Sequence, residues 1–306
     1  MRVLVVGLGV QGHKRRRFAG DDYVASVDPV NPEADYKAIE DVPLSSYDAV
    51  MCCIPDEPKH GVLTYLIESG KHVLVEKPLW TPKIEDIASL EALARRRQVV
   101  CYTAYNHRFE PHFVRMRALL DSGELGNVYS CRMFYGNGTA RLVRDSEWRD
   151  RGAGVLPDLG SHLLDTCRFW FGDMDDDFNL KSAHCFENRA ADHVTIGCES
   201  MRPRIELEMT LLSWRNHFTC DIFAENGSAH IESLCKWGPS VFTHRRRVLP
   251  SGRPPESAQT LVQDDPTWAL EYSHFKALCH RNAEADLSGD LWLAGALERL
   301  AGGMLA

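Results

Sequence analysis

Arg2-Val3-Leu4-Val5-Val6-Gly7-Leu8-Gly9-Val10-Gln11-Gly12 opens the chain with a short apolar run and a glycine turn, and helix formers continue through residues 13–19. Strand, G-x-G-x-x-G and helix in direct succession are the context that gives the dinucleotide fingerprint its mechanism. Gly7 allows a tight turn, Gly9 lets the backbone come close to a pyrophosphate, and Gly12 lets helix and strand pack closely, with the positive end of the helix facing the phosphates. A second run over 23–27 ends at Asp28, near the separation expected for the acid that binds a ribose diol. A carboxylate there repels a 2'-phosphate, and no Arg or Lys stands between Asp28 and Lys37 to receive one, so NAD is favoured over NADP. The competing reading of Asp28 is a turn residue before Pro29.

Outward from this start, runs at 49–54, 72–75 and 99–103 read as strands, with helices over 57–69 and 82–97 between them. That alternation predicts a doubly wound, parallel α/β sheet. The nineteen residues between Asp28 and Asp48 are rich in Pro and acid and leave little room for a helix and strand, so the sheet is expected to be abbreviated there. After Asn106 the pattern changes to a helix over 111–121, a Gly123-Glu124-Leu125-Gly126 turn and alternating runs at 127–136, 178–187, 191–200, 204–213, 217–225 and 228–233. These describe a large, mostly antiparallel open sheet in an α+β domain. Residues 250–266, with four prolines, read as a surface loop, and helices at about 267–282 and 290–303 close the chain. The division predicted is 1–106 and 107–306.

Composition narrows the function classes. Among 306 residues 25% are charged and the formal net charge is −8, which argues against general attraction to nucleic acid or to an anionic membrane. Lys14-Arg15-Arg16-Arg17, Arg95-Arg96-Arg97 and Arg245-Arg246-Arg247 read as solvated faces rather than nucleic-acid patches, the first two on surface helices. Ten cysteines without a C-x-x-C pair point away from a zinc site or disulfide framework, and no metal is expected. Without a signal-peptide pattern or an apolar run near 18 residues, a reduced cytoplasmic protein is expected.

Chemistry concentrates in Gly152-Ala153-Gly154-Val155-Leu156-Pro157-Asp158-Leu159-Gly160-Ser161-His162-Leu163-Leu164-Asp165. If this apolar run is helical, Asp158 and His162, four apart, project from one face and can share a substrate. The alternative is an Asp near a helix dipole and a His satisfied in the core. Lys77, in Glu76-Lys77-Pro78, follows a predicted parallel strand and so lies at the ligand edge of the sheet.

With these motifs in order, the chain resembles the glucose-fructose oxidoreductase, inositol dehydrogenase and MocA (Gfo/Idh/MocA) family along essentially its whole length. The resemblance rests on Gly7 to Gly12, Cys53-Ile54-Pro55 followed by His60, Glu76-Lys77-Pro78, Asn106-His107-Arg108-Phe109, Glu124-Leu125-Gly126, Trp148-Arg149 and Gly152 to Asp165. Ala153 in place of a middle glycine and the short stretch after Asp28 are departures. The resemblance implies a Rossmann domain and a second α/β domain whose sheet often forms the oligomer interface, hence a homodimer or homotetramer. Family members mostly oxidise or reduce one secondary alcohol of a sugar, polyol or sugar nucleotide. It assigns Lys77, Asp158 and His162 to catalysis, and the cofactor to Gly7, Gly9, Val10, Gln11, Gly12, Asp28, Cys53, Ile54, Pro55, His60, Glu76, Lys77, Asn106, Trp148 and Arg149.

Moving a hydride from a carbinol carbon requires the hydroxyl proton to leave, so a base of near-neutral pKa must reach that oxygen. His162 suits the task, Lys77 can hold the oxygen, and Asp158 can orient the hydroxyl or the imidazole. Arg108, Tyr135, Arg141 and Arg144 are further candidates for substrate contact. Two arginines suit a phosphorylated or nucleotide-linked sugar, or they are loop charges paired with Asp145 and Glu147. A UDP-N-acetylhexosamine oxidised at C3 is the first specific expectation, and free sugars or inositols come next. An NAD-dependent glycosidase and a ligand-sensing regulator are the readings from other classes.

Overall fold

The computed structural model of the chain describes residues 1–146, 149–174, 178–200 and 202–304. Two compact units divide them: Met1–Asn106 with Pro266–Gly295, and His107–Asp265 with the residues from Ala296 on. The sequence division at 106/107 gives 266–295 to the second domain, whereas the structure packs it into the core of the first unit.

In the first unit β1 (Val3–Val6), β2 (Tyr23–Val27), β3 (Ala49–Cys52), β4 (His72–Glu76) and β5 (Cys101–Ala104) form a parallel sheet in the order β2-β1-β3-β4-β5. Helices α1 (Val10–Ala19), α2 (Asp56–Glu68) and α3 (Glu85–Arg97) join them. Strand residues alternate between two apolar layers, which is why these runs carry no polar face. Val3, Val5, Met51 and Leu74 pack with Tyr272 and Phe275 of a late helix, while Leu4, Val6, Val50 and Val75 pack with Leu63, Leu66, Ile87 and Leu90. Between β2 and β3 only two 3₁₀ turns form, Ile39–Asp41 and Leu44–Ser46. The chain folds back so that Tyr36 bridges Val27 in parallel, its N–H donating to the Ser26 carbonyl at 3.0 Å, and this closes the abbreviated sheet edge.

The second unit runs through α4 (Pro111–Asp121), β6 (Val128–Gly136), α5 (Ala140–Arg144), a π-helical turn (Leu156–Gly160) and α6 (Ser161–Phe171). Seven further strands follow: β7 (Asn179–His184), β8 (His193–Cys198), β9 (Arg204–Thr210), β10 (His217–Ala224), β11 (Gly227–Glu232), β12 (Ser240–Arg246) and β13 (Glu256–Leu261). The sheet order is β13-β12-β11-β10-β6-β9-β8-β7, antiparallel except for the β6–β9 pair. The chain closes with α7 (Thr267–His280), the late helix of the first unit, and α8 (Ser288–Met304). On the inner face of the sheet Met133, Leu207, Met209, Phe218 and Ile222 are buried. The Phe113 ring of α4 lies 5.0 Å from both Phe218 and Trp170 of α6. On the other face Arg132 Nε stands 3.0 Å from Glu206, and His230 Nδ1 2.5 Å from Asp221, so that face is polar and ion-paired.

Three sequence expectations need correction. Part of the expected loop at 250–266 is the edge strand β13, paired to β12 and exposed on both faces, so no apolar alternation marked it. Arg15 is not solvated: it is only 1% exposed and held between two carboxylates, while Lys14, Arg16 and Arg17 face outward. The segment carrying Asp158 is not regular α-helix. Pro157 has no N–H to give, and Ser161 N–H reaches back five residues to the Leu156 carbonyl, so the turn that carries Asp158 is π-helical and regular α-helix begins only at α6. Among the described residues no helix is long and apolar enough to cross a membrane.

Candidate active site

The carboxyl ends of the parallel strands gather the expected cofactor residues of the first unit. Gly7, Leu8 and Gly9 follow β1, Asp28 follows β2, Cys53-Ile54-Pro55 follows β3, Lys77 follows β4 and Asn106 lies just beyond β5. This is the edge at which open α/β sheets bind ligands. The glycines divide by physical cause. Gly7 has φ +88°, and a Cβ on it would stand 2.4 Å from the Cys53 carbonyl oxygen; one on Gly12 would stand 1.8 Å from that of Gly7. Both are fixed by internal packing. Gly9 has an ordinary φ of −77°, and a Cβ there would meet nothing within 4 Å. The space left at Gly9, before the N-terminus of α1, fits a pyrophosphate. Val10 and Gln11 are exposed beside it, and His60 is half-buried on α2.

Asp28 makes the turn that its competing reading expected. Its Oδ1 accepts from Val30 and Asn31 N–H at 2.9 and 2.7 Å, which makes the turn, and its Oδ2 accepts from Leu8 N–H of the glycine loop at 2.7 Å. Burial raises its pKa, but these three donors outweigh burial and hold the carboxyl below its ordinary value. Lys37 donates to the Asn31 carbonyl at 2.7 Å, so the fold-back brings a cation to this loop that sequence distance alone set aside.

The turn bearing Lys77 is clamped from both sides. Arg15 Nε donates to Glu76 Oε1 at 2.6 Å, and Lys59, only 2% exposed, donates to the Pro78 carbonyl at 2.9 Å and to Asp56 at 2.5 Å. From sequence Arg15 was read as solvated and Lys59 was not singled out, because a cation on an amphipathic helix ordinarily faces water. Asn106 is buried and donates to Thr267 Oγ1 at 2.8 Å.

In the second unit His162 is the second residue of α6, is 8% exposed, and stacks on His107 with ring centroids 4.0 Å apart and planes at 18°. Asp158 lies on the π-helical turn, 3.5 Å from Arg149. A Cβ on Gly160 would stand 2.7 Å from Met209 Sδ, so this glycine lets the turn pack against β9. Tyr135 is buried on β6, its ring 6.1 Å from that of His162. Arg108 grips Asp165 of α6, Nη2 to Oδ1 at 2.5 Å and Nε to Oδ2 at 3.0 Å, which ties its guanidinium to the helix that carries His162. On α5 Arg144 lies 3.5 Å from Asp145 and Arg141 3.9 Å from Glu187, both exposed. Trp148 and Glu147 fall outside the described residues.

His107 and Lys236 complete this cluster and were not expected. Lys236 Nζ stands 3.1 Å from His107 Nε2 and 3.4 Å from Tyr135 Oη. His107 belonged to a quoted motif, whereas Lys236 stands alone after a strand and gave no sequence signal.

Residues 1–105 match the model of an oxidoreductase family with an NAD-binding Rossmann fold, and residues 113–230 match the Gfo/Idh/MocA C-terminal domain. An uncharacterised oxidoreductase of Schizosaccharomyces pombe is 31% identical over 131 residues, 42% of this chain and 35% of the relative. The chain spans about a third of the length of the curated relatives it matches first. In fold it is similar to levoglucosan dehydrogenase in complex with NADH, at TM-score 0.80 and 16% identity over 99% of this chain and 97% of the other. It is likewise similar to the UDP-N-acetylglucosamine 3-dehydrogenase of Acidithiobacillus ferrooxidans, at TM-score 0.78 and 19% identity over 97% of this chain and 96% of the other. With both halves matched in order, the chain belongs to the Gfo/Idh/MocA family of oxidoreductases.

Proposed function

We propose that the protein is an NAD-dependent dehydrogenase acting on a secondary alcohol of a sugar, with a sugar nucleotide of the UDP-N-acetylhexosamine type, oxidised at C3, as its substrate class. The observation that carries this reading is His162: a buried imidazole at the start of α6, stacked on His107, with Asp158 in the turn just before it. Bound NAD supplies the hydride acceptor. Gly9 and the first turn of α1 hold its pyrophosphate, and Asp28 binds the adenine ribose. Lys77 holds the substrate oxygen and stabilises charge on it, His162 takes its proton, and Asp158 orients the hydroxyl. Arg141 and Arg144, exposed on α5, are the cations proposed for the diphosphate. The likeness in fold to a UDP-N-acetylglucosamine 3-dehydrogenase supports the substrate class. For assembly a homodimer or homotetramer through the sheet of the second unit is proposed, supported by the 51% exposed Phe223 on its open face.

A panel of sugar nucleotides, free sugars and inositols, followed by nicotinamide absorbance, tests the reading. His162→Ala and Lys77→Ala are each expected to lower turnover by at least ~10²-fold, the scale of a lost general base or its oxygen partner, with nucleotide affinity surviving better than turnover. If both variants stay active, the site is misplaced. Release of an aglycone without net NADH replaces the dehydrogenase with a glycosidase.

A further inference from the structure

Two groups beside His162 take no part in the proton transfer just described. The His107 ring covers one face of the His162 ring at 4.0 Å, and Lys236 Nζ stands 3.1 Å from His107 Nε2. An ammonium only donates, so with Lys236 charged His107 Nε2 must accept, and the ring proton of His107 resides on Nδ1. His107 is then neutral, and protonating it would place a second cation against Lys236.

The arrangement is held from below. Glu110, buried, accepts from Cys235 N–H at 3.1 Å and from Cys235 Sγ at 3.0 Å, and its own N–H donates to the His107 carbonyl at 3.0 Å. One residue thus ends the turn bearing His107 and fixes the turn bearing Lys236. Trp237 lies under the ammonium at 4.7 Å from its ring centre, and Tyr135 Oη is the second polar neighbour of Nζ.

We propose that Lys236, acting through His107, is a positioning residue that keeps His162 in its neutral, proton-accepting form; the inference rests on His162 being the base. Once His107 is locked neutral and stacked, it shields one face of His162 from water, and the cation held on its Nε2 penalises a positive charge on His162. The other charged groups around the cluster are Asp158 on the π-helical turn with Arg149 beside it, Glu110 before α4, Asp265 before α7, and Arg108 next to His107, paired with Asp165 of α6. Asp158 and Asp265 favour the charged form of Lys236, and Arg149 is paired with Asp158. Burial brings Lys236 down to about 8, against the pull of Asp265, Glu110, Cys235 and Asp158. The ammonium therefore persists through the range near pH ~6.5 in which an imidazole titrates.

Long-range ¹H–¹⁵N spectra of the full-length, ¹⁵N-histidine-labelled chain test this without substrate, with His107→Gln and His162→Gln assigning the signals. In the native chain His107 Nε2 is expected to read as unprotonated and Nδ1 as protonated between pH 6 and 7. Lys236→Met should raise the His162 midpoint by about one unit, the scale of a nearby unit charge removed, and Lys236→Arg should restore it. A protonated His107 Nε2 in the native chain, or a His162 midpoint unmoved in a folded Lys236→Met variant, overturns the proposal. If Lys236→Met does not fold, the His107 tautomer of the native chain decides alone. Neither measurement needs turnover, so a wrong base assignment shows separately, as an active His162→Ala.

Discussion

Arg15 Nε lies 2.6 Å from Glu76 Oε1 while its Nη1 lies 2.7 Å from Glu271 Oε2, with the guanidinium over the Trp268 ring at 4.3 Å. Burial lowers the pKa of this arginine, but Glu76, Glu271 and Cys53 raise it further, so the net shift is above its ordinary value. The end of β4, just before Lys77, is thereby tied to α1 and α7 at once.

Removing that cation leaves two carboxylates facing each other, one fully buried. Arg15→Met is expected to cost about 3–5 kcal/mol in urea unfolding, the range for breaking a buried ion pair. Adding Glu271→Gln to it should recover part of the loss. A cost below about 1 kcal/mol for the single variant would show that the pair is incidental.

The two glycines of the first turn should separate cleanly. Gly9→Ala meets no atom within 4 Å and keeps an ordinary backbone, so stability is expected to hold within about 0.5 kcal/mol while NAD affinity falls at least about 10-fold. Gly12→Ala, whose Cβ would stand 1.8 Å from the Gly7 carbonyl oxygen, should fail to fold normally. Thermal melts with and without NAD distinguish the two, and equal NAD binding by Gly9→Ala and the parent chain would remove the cradle from that position.

Asp28 is expected to set the nucleotide preference. Calorimetry should show NAD bound more tightly than NADP by the parent chain, and Asp28→Ser should narrow the gap by relieving repulsion of the 2'-phosphate. Replacing Lys37 by Ala in that variant should reopen it. Tighter NADP binding by the parent chain contradicts the preference.

Buried thiols set the alkaline limit of stability. Burial pushes Cys52 up to about 12, against its nearest lysine, and Cys279 likewise to about 12. In the unfolded chain these thiols ionise near the ordinary ~8.5, so above that pH the unfolded state binds fewer protons than the folded one and stability must fall as pH rises. Urea midpoints should decline from pH ~9 toward 11, and Cys52→Ala should flatten part of that decline. An unchanged slope in the variant means that the thiol is not responsible.

Light scattering is expected to give a dimer or tetramer of the 34.5 kDa chain at micromolar concentration. Phe223→Lys, on the open sheet face, should shift the mass toward the monomer. A monomeric parent chain ends the assembly proposal.

The parallel sheet was legible because strands buried on both faces must be apolar throughout, as Val3 to Val6 and Ala49 to Cys52 are. The two histidine-bearing motifs were legible as words in the chain, but their partnerships were not. His107 and Lys236 are 129 residues apart, and Arg15 and Glu271 are 256 apart, and no local period encodes either pairing. The strand β13 escaped notice for the opposite reason from β1: with both faces in water, nothing selects its side chains. The π-helical turn was hidden by Pro157, which is tolerated near a helix start and gives no warning that the hydrogen-bond spacing widens.

The first unit is discontinuous, and this fixes an order of events during synthesis. Tyr272 and Phe275 cover Val3, Val5 and Met51, yet they are translated after the last strand of the other unit. A nascent chain can therefore pair all eight strands of the later sheet while its opening five strands still expose one apolar layer, the kind of surface that chaperones bind. A chain stopped at residue 265 keeps that layer bare permanently. The nucleotide fold is thus closed only after every strand of the other unit has been made.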